Sequence, residues 1–208
     1  MGMVSVRNAK AEETRERILQ VTAMEMIRVG YRALGLSEIL DHLQMSKGAL
    51  YHHFKNKLEL GYAVLDEVYA SRFASLWVSP LEQEDPLQAI IDLLRKVSAG
   101  TAMDVNCGCP INNLAAEMSP IDEGFRERVE RVYKRWRNRL TEAFLRAQAK
   151  GYMRGDVDAE ETAMFIIASV QGAMVLAKNA QNCEVFAQTL KPLIHYLTSL
   201  QPDATVHA

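Results

Sequence analysis

Residues 36–60 read LSEILDHLQMSKGALYHHFKNKLEL. Ile39, Leu40 and Leu43 share one side of a short amphipathic helix over 37–44, with Ser37 as its expected N-cap. Ser46 is a second expected N-cap, and a third segment runs from it through Phe54. Leu50 and Phe54, four apart, face a core. Two short helices joined by a three- or four-residue turn make a helix-turn-helix. Such a second helix fits the major groove, where its N-terminal residues reach base edges. Around Ser46, Lys47 suits guanine O6/N7, Gly48 lets the backbone come close, and Ala49 offers a methyl to thymine. His52 suits a base edge. Tyr51, His53 and Lys57 suit phosphates, which position a protein without reading sequence. The helix N-terminus adds its own partial positive charge. Spacing alone leaves a second reading open, three helices of an ordinary bundle.

Outward from that stretch, every segment has helical period. Leu19, Ala23, Met26 and Ile27 form a stripe closed by Gly30. A long helix is expected over 57–77. Leu87, Ile90, Ile91, Leu94 and Val97 carry another, and a further one is expected over 110–118. Phe125, Val129, Val132, Trp136, Leu140 and Phe144 repeat over five turns beside an Arg/Glu-rich solvated face. Asp158 with Glu161 reads as a capping box for a helix over 159–180, apolar on more than one side. A last helix carries Leu190, Leu193, Ile194 and Leu197. The count is nine helices, an all-α protein. The expected division is a DNA-reading domain over 1–56, a bundle over 57–200 and a tail over 201–208.

Composition agrees. Of 208 residues, 49% are apolar, only 7% are aromatic and six are proline, which argues against a β-sandwich. No run of about 18 apolar residues is visible, so a membrane span is not expected. Residues 1–14 lack the apolar stretch of a signal peptide. Three cysteines do not make a disulfide framework, and a cytoplasmic, reduced setting is expected. The net charge of −2 is uninformative until divided. Residues 1–60 hold nine Lys/Arg against seven Asp/Glu, and the remainder is acidic. Arg28, Arg32, Lys47, Lys55 and Lys57 form a basic island on an acidic body.

The stretch 36–60 resembles the DNA-binding signature of TetR-type transcriptional regulators, at Ser46, Lys47 and Gly48, at Leu50 and Tyr51, at His53 and Phe54, and at Lys57. Gly30 and Tyr31 also stand where that family ends its first helix. There are departures. Gln44 sits where the family has Gly in the turn, at a cost of about 1 kcal/mol if the left-handed region is needed. Leu36 replaces a Thr or Ser phosphate contact, and His42 and Leu43 make the first helix of the motif bulkier.

The resemblance implies a homodimer on a near-palindromic double-stranded DNA operator, released by a small-molecule inducer in the C-terminal bundle. It implies that inducer binding moves the 57–77 helix. It also implies an interface from the last two helices. The interface residues expected here are Ala168, Gly172, Leu176, Leu190, Leu193, Ile194 and Leu197. Expected pocket residues are Phe73, Trp77, Met103, Cys109, Asn113, Phe125, Trp136, Phe165 and Gln171. No charged residue stands out as a ligand counter-ion, which favours an apolar or aromatic ligand. A thiol at a helix N-terminus has a lowered pKa, so Cys109 before Pro110 also admits an electrophile- or redox-sensing reading. An activator of the same fold is another alternative. Metal ligands, a cofactor and an enzymatic motif are not found: there is no phosphate loop, GxSxG or HExxH.

Overall fold

The computed structural model describes residues 2–100 and 107–202, with side chains from residue 8 onward. Helices account for all its regular structure. They are α1 (Gly2–Val29), α2 (Leu36–Leu43), α3 (Lys47–His53), α4 (Lys57–Ala63), α5 (Ala70–Trp77), α6 (Pro86–Ser98), α7 (Pro110–Met118), α8 (Glu123–Ala149), α9 (Ala159–Ala180) and α10 (Cys183–Ser199). A π-helical stretch, Val64–Tyr69, joins α4 to α5 without a break. Counted so, the described residues form the nine helices that the periodicity predicts, plus a 3-10 turn at Ser79–Glu82.

Side-chain caps set many of the starts. Ser46 accepts from the Ala49 N–H at 3.2 Å, Asn56 from Glu59 and Asp85 from Gln88 ahead of Pro86. Asp158 accepts from both Glu160 and Glu161, where the capping box is expected. The α2 start differs from expectation. Gly35, not Ser37, is the N-cap, and no side chain caps it. Gln44 does take the left-handed conformation, at φ 51°, and its N–H closes on the Asp41 carbonyl. The turn therefore keeps the geometry that glycine would serve, and bears the strain.

Two compact units emerge, Met1–Arg72 with Asn113–Glu130, and Phe73–Asn112 with Arg131–Ala208. The expected cut at residue 56 differs from this partition. The first unit includes α4 and residues 113–130 because their side chains pack there. Phe125 is fully buried and stacks edge-on against Tyr31 and Tyr62, at 4.7 and 4.9 Å between ring centres. In the second unit, α10 packs on α9 and α6. Its core includes Leu87, Ile90, Leu140, Phe144, Phe186 and Leu190. By length and apolar composition alone α9 meets the criterion for crossing a bilayer, against expectation. It instead buries Ile166, Val170, Ala173 and Met174 within the chain.

Candidate functional site

α3 presents its two faces as the motif requires. Leu50 and Phe54 are buried, while Lys47, Gly48, Tyr51 and His52 are exposed. Ala49 and His53 are half-buried. Ser46 is committed to capping, its hydroxyl oxygen taken by the Ala49 N–H. The Lys47 ammonium lies 5.8 Å from the Tyr51 ring centre, and the His52 and His53 rings meet edge-on at 5.4 Å. Burial lowers the His53 pKa, and the neighbouring His52 and Arg15 lower it further against a pull from Glu12. Lys57 is less free than expected. Its Nζ donates to the Arg32 carbonyl at 3.2 Å and lies 4.8 Å from the Tyr31 ring centre. Burial lowers its pKa, against the raising effect of Glu117. Lys55, a member of the basic island, is exposed beside this surface.

Behind α3, a set of ion pairs and hydrogen bonds fixes the scaffold. Arg15 forms a bidentate pair with Glu67 at 2.6 and 2.7 Å, and its guanidinium lies over Phe54. Tyr69 donates to the Ala23 carbonyl at 2.6 Å. Arg128 donates to Asp66 at 2.9 Å. Three of these anchors, Asp66, Glu67 and Tyr69, lie on the π-helical stretch, a geometry enriched at functional positions. The Glu117 carboxylate accepts from the Tyr31 and Arg32 N–H groups at 3.0 and 2.8 Å, just past the left-handed Gly30. It thereby satisfies two donors in the turn between α1 and α2. Asp122 accepts from the Phe125 N–H and from the Tyr62 hydroxyl at 2.7 Å. Glu117 and Asp122 lie 85 or more and 60 residues from these turn and Tyr62 partners. Sequence spacing holds no signal for such pairs.

The expected pocket residues separate. In the second unit, Phe73, Trp77 and Trp136 form an aromatic cluster, with Trp136 4.9 Å from Phe73 and 5.2 Å from Trp77 between ring centres. Cys109 and Gln171 are buried there too. Phe125 is not among them, because it packs in the core of the first unit, and Asn113 belongs to that unit as well. Phe165 is 49% exposed and meets Tyr196 edge-on at the surface, so it does not line an interior. Met103 lies outside the described residues. Burial pushes the Cys109 thiol pKa up, opposed by the N–H groups of Asn112 and Ile111 and by the Gln171 amide. The expected lowering by the helix N-terminus is outweighed by desolvation.

The expected interface also separates. Leu190, Leu193 and Leu197 are buried in the chain's own core, because α10 packs them between α9 and α6. They are not available to a second copy. Ala168, Gly172 and Leu176 are exposed on α9, and Ile194 is half-buried. A Cβ at Gly172 would meet nothing within 4 Å.

The described residues are all-helical, and α2 and α3 set out an exposed, basic-tipped helix-turn-helix, an arrangement found in DNA-binding transcriptional regulators. Residues 18–64 match the family described as bacterial regulatory proteins, tetR family. Residues 85–191 match the LmrA/YxaF-like transcriptional regulator C-terminal domain. The chain belongs to the TetR family of transcriptional regulators, which are not enzymes. It is similar to the transcriptional regulator AcuR of Cereibacter sphaeroides, 32% identical over 152 residues, covering 72% of this chain and 69% of that one. The regulator LmrA of Bacillus subtilis is 28% identical, covering 92% and 96% of the two chains. A TetR regulator structure from Chloroflexus aurantiacus superposes with a TM-score of 0.82 at 29% identity, covering 93% of this chain and 98% of that chain.

Proposed function

We propose that the chain is a homodimeric repressor that binds a near-palindromic operator and leaves it when a small molecule occupies the second unit. The observation carrying this reading is the division of labour on α3, with Leu50 locked in the core and Lys47, Tyr51 and His52 left exposed. Ser46 fixes the start of the helix, Lys47, Ala49 and His52 face bases with Gly48 at close approach, and Tyr51, His53 and Lys57 face phosphates. A ligand that favours the form with weaker operator affinity shifts the population away from DNA.

An apolar stripe supports the dimer. Met164, Phe165, Ala168, Gly172, Val175 and Leu176 recur at three- and four-residue spacing on the exposed side of α9. Four of them, Met164, Phe165, Val175 and Leu176, are 46–52% exposed. Gly172 allows close approach of a second backbone. A two-fold pairing would cover this surface and match two half-sites.

The test is a footprint on DNA flanking the chain's own gene, repeated across salt concentrations, with the oligomeric state measured in parallel. A protected palindrome bound by a dimer, with affinity falling steeply with salt, is the expected result. A monomer, or no protection at low salt, overturns the reading.

A further inference from the structure

Five buried side-chain atoms among the described residues lack a hydrogen-bond partner: Ser98 Oγ, Trp136 Nε1, Thr141 Oγ1, and Gln171 Oε1 and Nε2. All belong to the second unit. Hydroxyls rotate and are readily satisfied by their own helix or by water. A carboxamide with both ends unpaired is harder to explain, because desolvation is lost twice with no bond in return. Gln171 is only 8% exposed. It sits on α9 with Ile167 and Met174 one turn away on either side, and Met174 is buried. Its amide reaches the buried Cys109 thiol, a weak partner that leaves both amide atoms without a completed bond.

The charge inventory narrows what would complete those bonds. Of the four buried polar or charged residues among the described ones, only Thr162 and Gln171 lie in the second unit, and neither is ionic. A carboxylate or ammonium moved beside Gln171 would meet no buried counter-charge among the described residues, and such transfers are strongly disfavoured. The two ends of the amide ask for opposite things. Oε1 accepts a hydrogen and Nε2 gives one.

We propose that Gln171 is the polar anchor of a ligand site in the second unit. The site takes an uncharged molecule whose polar group sets a donor beside an acceptor, as a primary carboxamide or a lactam does, on an apolar frame. The ligand N–H meets Oε1, its carbonyl oxygen meets Nε2, and the frame lies among the surrounding apolar side chains. The proposal rests on the regulator reading only for its consequence, release from DNA. The site itself is a matter of these contacts.

The test compares three probes of similar size on the full chain, benzamide, benzoate and toluene, by thermal denaturation at millimolar concentration. Benzamide raises the melting temperature more than the other two. Gln171→Met, which keeps the volume and removes both orphaned atoms, melts about 2–4 °C above the wild type without ligand and loses the benzamide shift. It retains operator binding. Equal shifts from the three probes overturn the ligand class, which is also the outcome if water alone satisfies Gln171. A Gln171→Met protein that melts below the wild type overturns the anchor, because the amide would then hold the fold. The probe comparison on wild type stands whether or not the variant folds. Failure of the wild type to bind operator sinks the regulator reading and leaves the probe comparison to decide the site.

Discussion

Glu117, Asp122, Tyr62 and Tyr69 in the first unit each spend their polar atoms on a named partner. In the second unit, Trp136 Nε1 and both amide atoms of Gln171 are buried without a hydrogen-bond partner beyond the weak Cys109 thiol beside the amide. The first arrangement suits a part that must hold α3 at a fixed pitch, since each bond resists reorientation of the elements it ties. The second suits a part whose interior completes its hydrogen bonds only when something else arrives.

Steric fit in the first unit gives the largest expected loss. A Cβ on Gly61 would lie 2.5 Å from a ring carbon of Tyr31 and 2.9 Å from Phe125, both parts of closely packed side chains. Gly61→Ala should cost about 1–3 kcal/mol, at the upper end of that span, read by chemical denaturation. A variant of unchanged stability would mean that this packing is looser than the ring contacts imply.

Next is Glu117→Ala, which strips acceptors from two N–H groups in the α1–α2 turn. A loss of about 1–3 kcal/mol is expected, and operator affinity should fall with it. Set beside Gln171→Met, the signs should be opposite, destabilising in one unit and stabilising in the other. If both variants lose stability equally, the contrast between the units collapses.

Part of this contrast was legible in the sequence and part was not. The caps at Ser46 and Asp158 act within three residues of their partners, so spacing reveals them. Helical period likewise finds the buried face of α3. Glu117 reaching the Tyr31 and Arg32 N–H groups depends on tertiary placement, and no local pattern marks it. Periodicity also says that Leu190, Leu193 and Leu197 form an apolar stripe, but not which neighbour covers it. Phe125 and Phe165 failed as pocket residues for the same reason, since an aromatic side chain reads alike in a core, a cavity or a surface pair.

On the DNA side the effects fall on operator affinity instead of stability and divide by role. Lys47→Ala should weaken operator binding by about 1–3 kcal/mol and relax preference at one base position, measured by titration against operator variants. Lys57→Ala tests whether its tie to the Arg32 carbonyl leaves a phosphate contact. If it does, the salt slope flattens by about one charge and all sequences weaken alike. A slope that stays the same assigns Lys57 to the scaffold.

The smallest expected effect is one of pH, at His53. Burial lowers its pKa in the free protein, so the neutral form dominates at pH 7. A phosphate oxygen beside the ring would favour the protonated form, raising the pKa in the complex. Binding would then take up a proton, and operator affinity should rise as pH falls through the ordinary imidazole range. The sign for stability is opposite. A lowered folded-state pKa means that the unfolded chain binds the proton more readily, so the His53 contribution to stability is present above the unfolded pKa and fades as pH falls. The two dependences therefore run against each other in the same pH window. His53→Gln should flatten the affinity profile while removing the small acid-side loss of stability. An affinity profile unchanged by that substitution takes His53 out of the phosphate contact and leaves it as packing against His52.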